Sequence, residues 1–133
     1  QALNHDIRIN AYPTRLTKEN AASLIANYDI VVDGCDNFTT RYIINDACAH
    51  WGRPYVYGAI LAFEGQVSVF NYQGGPDYRT LYPDEGVLGV TPGVIGCMEA
   101  NEVMKIIGGY GEVLSGKLWQ IDLRTMESYT IML

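Results

Sequence analysis

Between positions 30 and 37 the chain reads Ile30, Val31, Val32, Asp33, Gly34, Cys35, Asp36, Asn37, and no other stretch constrains the fold as strongly. Three consecutive β-branched residues without polar alternation suit a strand buried on both faces of a parallel sheet, which makes it a central strand. The Asp-Gly step ends that strand. From Thr39 onward Ile43, Ile44, Ala47, Cys48 and Trp51 recur at intervals of three and four, which predicts a helix that Gly52 and Pro54 terminate. A strand, a polar turn and a helix in that order define one step of an α/β fold, and such folds bind ligands outside the carboxyl ends of their strands.

The remaining elements follow from the same kind of periodicity. Ile7, Ile9 and Ala11 alternate with Arg8, Asn10 and Tyr12 before Pro13, the pattern of an edge strand. Thr17 offers an N-cap ahead of Ala21, Ala22, Leu24, Ile25 and Ala26, which share one face of a short helix. Tyr55, Val56 and Tyr57 restart a strand, and residues 65–70 give another after a connection too short for a helical crossover, so this pair is antiparallel. Gly74, Gly75, Pro76, Pro83, Gly86, Gly89 and Pro92 mark a long surface loop. Val94, Ile95, Met98, Val103, Ile106 and Ile107 form a helical stripe, suited to core or an oligomer interface, that Gly108 and Gly109 close. Residues 117–122 and 127–133 alternate as two strands joined by a hairpin over 123–126. With 133 residues and no repeat or linker, the chain reads as one domain or a piece of one.

Charge and cysteine usage exclude several classes. Nine Lys and Arg against fifteen Asp and Glu give a net charge of −6, the wrong sign for a nucleic-acid partner. No apolar run reaches the ~20 residues of a membrane span and the first residues lack a signal-peptide pattern, so a soluble cytoplasmic protein is expected. Cys35, Cys48 and Cys97 are too widely spaced for a zinc site and read as reduced thiols, Cys48 and Cys97 in the core and Cys35 in a packing role beside Asp33 and Asp36. His5 and His50 have no sequence neighbour that would give them a task. Gly111, Gly116 and Lys117 mimic a phosphate-loop spacing, but Leu118 replaces the required hydroxyl residue and the segment precedes a strand. Gly109 and Gly111 begin a G-x-G whose third glycine position is Leu114.

Asp36, Asn37 and Arg41 are therefore the candidate site residues. A carboxylate at the end of a strand can hold a hard cation, an Asn beside it can bond a nucleotide, and an Arg one turn into the helix can meet an anion. Asp36 and Asn37 are equally suited to capping the helix that follows them, and pattern alone leaves both readings open.

Three blocks in order resemble the ubiquitin-activating-enzyme-like adenylating family that includes MoeB, ThiF and HesA. The first is Val31 to Phe38 with Arg41, Tyr42 and Asn45; the second is Val56, Tyr57, Gly58, Ala59 followed by Phe63 to Phe70. The third runs from Gly86 to Gly96 and continues through Glu99, Ala100, Glu102, Lys105 and Ile106. The resemblance implies an α/β fold, a Rossmann-like and mostly parallel sheet with an antiparallel extension, with residues 1–133 forming the carboxyl-terminal half of the adenylation fold. It implies ATP- and Mg²⁺-dependent adenylation of the carboxyl-terminal glycine of a ubiquitin-like sulfur carrier of the MoaD or ThiS type, for molybdopterin or thiamine biosynthesis or related sulfur transfer. Asp36 then matches the family's acidic Mg²⁺ and ATP ligand, Asn37 its nucleotide-contacting neighbour, and Arg41 the helix arginine in support of catalysis. The loop before Gly89 matches the crossover that the carrier's Gly-Gly tail threads under, and a homodimer is expected.

Departures from the family pattern set further expectations. The glycine-rich phosphate loop and the ribose- and phosphate-binding residues belong to an amino-terminal half that lies outside this sequence, so these 133 residues alone should not turn over ATP. Asp77 and Thr80 stand where many relatives place a CxxC pair, so zinc is not expected, and Pro83, Asp84, Glu85 run into Gly86 where relatives carry a cysteine. Two rivals remain: a non-catalytic carrier-docking or subunit-pairing module of the same fold, and a nicotinamide or adenosylmethionine enzyme, which the lack of a phosphate loop disfavours.

Overall fold

The computed structural model describes residues 4–81 and 92–133. Its elements run α1 (Lys18–Ile25), β1 (Val31–Val32), α2 (Phe38–Trp51), β2 (Tyr55–Leu61), β3 (Glu64–Phe70), a 3₁₀ turn (Tyr78–Thr80), α3 (Pro92–Gly108), β4 (Lys117–Asp122) and β5 (Glu127–Met132). The five strands form one sheet in the order β1-β2-β3-β4-β5. Val31 and Val32 pair in parallel with Tyr55 and Val56, and each later pairing is antiparallel. This is the expected α/β arrangement with its antiparallel extension, and in the described residues the extension is the larger part. The third sequence block from Gly86 to Thr91, the positions Pro83 to Glu85 and the loop before Gly89 lie outside the described residues.

Helix boundaries fall where the cap chemistry puts them. Asn20 Oδ1 accepts the Thr17 N–H at 2.8 Å to open α1. Asn37 Oδ1 accepts the Thr40 N–H at 2.8 Å to open α2. At the far end of α2, Gly52 turns into the left-handed region at φ 60° and lets the Arg53 N–H reach the Cys48 carbonyl at 2.9 Å.

Two layers flank the sheet. Tyr55, Tyr57 and Phe70 present one face to α1, α2 and the 3₁₀ turn, and they enclose Tyr78 with ring centroids 5.2–6.2 Å apart. By strand alternation Val56, Gly58, Val67 and Val69 point to the other face, which α3 covers with Ile95, Glu99 and Glu102. The end of β1, the start of α2 and the first turns of α3 thereby converge at one corner.

Three expectations need correction. Residues 7–12 form no strand: Ile7, Ile9 and Tyr12 are exposed, since an alternating pattern makes a strand only where a sheet edge receives it. Among the described residues β1 lies at the edge of the five-stranded sheet instead of its centre, and Val32 is 47% exposed because β1 pairs there only with β2. Cys97 is exposed, not a core thiol, because it lies some 200° around α3 from the buried Ile95.

Candidate active site

The corner is organised by a buried ion pair. Asp33 Oδ2 accepts hydrogen bonds from Arg41 Nε at 2.7 Å and from the Tyr55 hydroxyl at 3.0 Å. Asp33 Oδ1 accepts the Cys35 N–H and the Cys35 thiol, each at 2.9 Å. Arg41 Nη2 donates to the carbonyls of Cys35 at 2.9 Å and Gly58 at 3.0 Å. One guanidinium thus ties together the turn after β1, the middle of β2 and the first turn of α2. Burial opposes its charge, but the charge of Asp33 and the bond to it win and hold the Arg41 pKa above its ordinary value. Arg41 is therefore spent on the protein itself, inside the wall of the site.

Cys35 follows from the same network. Burial first, and then the bond to and charge of Asp33, push its thiol up to about 12. The thiolate fraction at pH 8 is then about one part in 10⁴, so Cys35 should resist iodoacetamide over hours at that pH; rapid alkylation seen by peptide mass mapping would contradict this network.

Asp36 and Asn37 separate into different tasks. Asn37 caps α2, while Asp36 takes no part in the cap; among the described residues its Oδ1 meets only Asn37 Nδ2, at 3.3 Å. Asp36 is exposed at the amino-terminal end of α2, where the helix dipole favours an anion and a cation bound to it can still be reached from solvent. Replacing Asn37 by Ala should cost about 1 kcal/mol through the lost cap, measured by urea denaturation of the complete polypeptide.

Asp33, Gly34, Cys35, Asp36, Arg41, Gly58 and Glu99 share a cavity of about 300 Å³. Glu99 is the residue that sequence reasoning placed only in a helical block and gave no role. It is 7% exposed, Oε1 has no hydrogen-bond partner among the described residues, and burial, followed by the charge of Asp33 and against that of Arg41, pushes its carboxyl up to about 7. The available signal was Gly58 in mid-strand, since a glycine there marks a close approach. A Cβ on Gly58 would lie 2.5 Å from Glu99 Cδ. One turn further along α3, Glu102 is fully buried but satisfied, by Lys105 Nζ at 2.6 Å and the Leu114 N–H at 2.9 Å.

A larger cavity of about 630 Å³ lies along the glycine-rich stretch before β4. Its two lysines are already neutralised, Lys105 by Glu102 and Lys117 by Glu112 at 2.7 Å, and Gly116 and Lys117 lead into a strand. The phosphate-loop spacing there is thus a β-strand lead-in, as expected. Among the described residues no group of three or more His, Cys, Asp or Glu side chains is placed to hold a metal ion together, and no helix is long and apolar enough to cross a membrane.

Comparison with solved structures defines the class. A crystal structure of E. coli MccB with ATP superimposes with a TM-score of 0.66 at 16% identity, over 84% of this chain and 39% of that one. PaaA superimposes with a TM-score of 0.69 at 14% identity, over 87% of this chain and 38% of that one. The chain shares the fold of those proteins. The ThiF family model matches residues 1–133, and the chain belongs to the ThiF family. It is 46% identical over 129 residues to a probable molybdopterin-synthase adenylyltransferase of Pyropia yezoensis, covering 87% of this chain and 34% of that protein. It is 45% identical to a sulfur carrier protein adenylyltransferase of Thermus thermophilus (92% of this chain, 51% of that protein). To mouse adenylyltransferase and sulfurtransferase MOCS3 it is 44% identical (90% and 29%). The chain thus spans about a third to a half of the length of these relatives.

Proposed function

We propose that the complete polypeptide carrying this chain uses ATP to adenylate the carboxyl-terminal glycine of a ubiquitin-like sulfur carrier. The observation that carries this reading is Asp36: an exposed carboxylate at the carboxyl end of β1, on the cavity that Asp33 and Arg41 wall, and not needed by the helix cap it adjoins. Adenylation joins a carboxylate oxygen to the α-phosphorus and breaks the bond to pyrophosphate, so the site must hold two anions together and offset their charge.

Each residue has a part in this. Asp36 holds the metal–nucleotide group, and Asn37 orients it while fixing the start of α2. Arg41 acts through Asp33 and the Cys35 and Gly58 carbonyls, keeping the turn that bears Asp36 in place. One exposed carboxylate suits Mg²⁺, which completes its shell with water and phosphate oxygens and supplies charge neutralisation when bound. The relatives' printed names favour molybdopterin biosynthesis over thiamine for the carrier's pathway. Three free thiols fit a cytoplasmic setting. The rival docking module has no need of a solvent-facing carboxylate over a cavity. Exchange of labelled pyrophosphate into ATP, dependent on the carrier, separates the two readings.

We further propose that the complete protein is a homodimer. Val94, Met104 and Ile107 leave the outer side of α3 apolar and exposed, at 40%, 56% and 69%. Light scattering at micromolar concentration should give twice the chain mass; a monomer mass would show that this face is covered within one chain.

A further inference from the structure

Glu99 is difficult to explain as a structural residue. A buried carboxyl with an unmade hydrogen bond costs free energy, and α3 shows how the chain avoids that cost elsewhere, since Glu102 on the same helix is fully satisfied. Glu99 also needs Gly58 opposite it, since a Cβ on residue 58 would displace its carboxyl. The carboxyl thus lies against Gly58 with Oε1 unmet by any atom of the described residues.

We propose that Glu99 is a substrate-binding residue, an uncharged carboxyl that donates a hydrogen bond to an anionic oxygen entering the cavity beside Gly34 and Gly58. This rests on the adenylation reading, in which that oxygen belongs to the acyl carboxylate or to a phosphate of ATP. The charged groups around Glu99 support the uncharged form. Asp33 faces it from the end of β1 and Arg41 from α2, and these two neutralise each other; Cys35 and Asp36 complete the titratable lining. Among the described residues the lining has this ion pair and no further cation beside Glu99, and an ionised carboxylate would repel either substrate. An acid O–H binds an anion without adding charge. The torsion about Cγ–Cδ is soft, so the carboxyl can turn towards an incoming oxygen.

The test measures proton uptake by calorimetry at pH 8 in two buffers of different ionisation enthalpy, on the complete wild-type polypeptide and its E99Q and E99L variants. Mg²⁺–ATP and a synthetic peptide ending in Gly-Gly are titrated separately. Wild-type protein should take up close to one proton with one of the two, which tells whether phosphate or carboxylate is bound. E99Q, an isostere with its own N–H donors, should bind that probe with no proton uptake, and E99L should bind it at least tenfold more weakly. The pH limb near 7 in wild-type carrier-dependent exchange should vanish in E99Q. If both probes bind and exchange proceeds but uptake and affinity are the same in all three proteins, the proposal is overturned while the adenylation reading stands. If neither probe binds and exchange is absent, both fall.

Discussion

Replacing Arg41 by methionine will destabilise the complete polypeptide by about 3–5 kcal/mol, the usual cost of removing one partner from a buried ion pair. Methionine roughly keeps the volume of the stem, so the loss comes from the charges. Asp33 stays buried with Tyr55 and Cys35 as its remaining donors, and the carbonyls of Cys35 and Gly58 each lose the Nη2 bond. Arg41→Lys should fall between, because one ammonium cannot span Asp33 and two carbonyls as a planar guanidinium does. Removing both charges in Arg41→Met with Asp33→Leu should recover part of the loss. Urea denaturation followed by tryptophan fluorescence reads all three, and an unchanged midpoint in the single variant would mean that the pair does not hold the corner together.

Asp36→Asn should behave in the opposite way. Asp36 is exposed and outside the cap, so stability should stay within about 0.5 kcal/mol of wild type. Carrier-dependent pyrophosphate exchange should fall by two to three orders of magnitude or more, the scale seen when a group aimed at developing or transferring charge is removed. Two carboxylates three residues apart are therefore expected to do separate work: Asp33 holds the turn, and Asp36 is the one whose loss should be read in the exchange. Wild-type exchange in a folded Asp36→Asn protein would remove Asp36 from the site. An unfolded variant would instead give it a structural role that its exposure contradicts.

Much of this was legible in the residues, for reasons of local chemistry. Breakers and caps such as Asn37, Gly52 and Pro54 act over a few residues, so helix ends were fixed by neighbours in sequence. The short link between β2 and β3 dictated an antiparallel pair. What failed was whatever depends on distant partners. Val31 and Val32 look like a central strand, and among the described residues β1 pairs only with β2, because a strand's place in a sheet is set by what pairs with it. The alternation over residues 7–12 does not form a strand in the described sheet. On α3 the apolar stripe suggested an apolar seat, but the buried side carries Glu99 and Glu102, and only the fold shows that one of these is paired and the other is not. At the site, the residues alone left Asp36 and Asn37 open as cap or ligand, and the 2.8 Å bond from the Thr40 N–H shows that the cap is Asn37. Arg41 was read as meeting the anion of a ligand, whereas its guanidinium is bound to Asp33 of its own chain, a partner eight residues away that the pattern did not single out.

The measurement that bears most directly on the account is incorporation of labelled pyrophosphate into ATP by the complete polypeptide, with and without a sulfur carrier ending in Gly-Gly. Incorporation should be negligible without the carrier, appear when it is added, and disappear when its terminal glycine is deleted. Exchange that ignores the carrier, or no exchange in a folded protein that binds both ATP and carrier, would contradict an acyl-adenylating function.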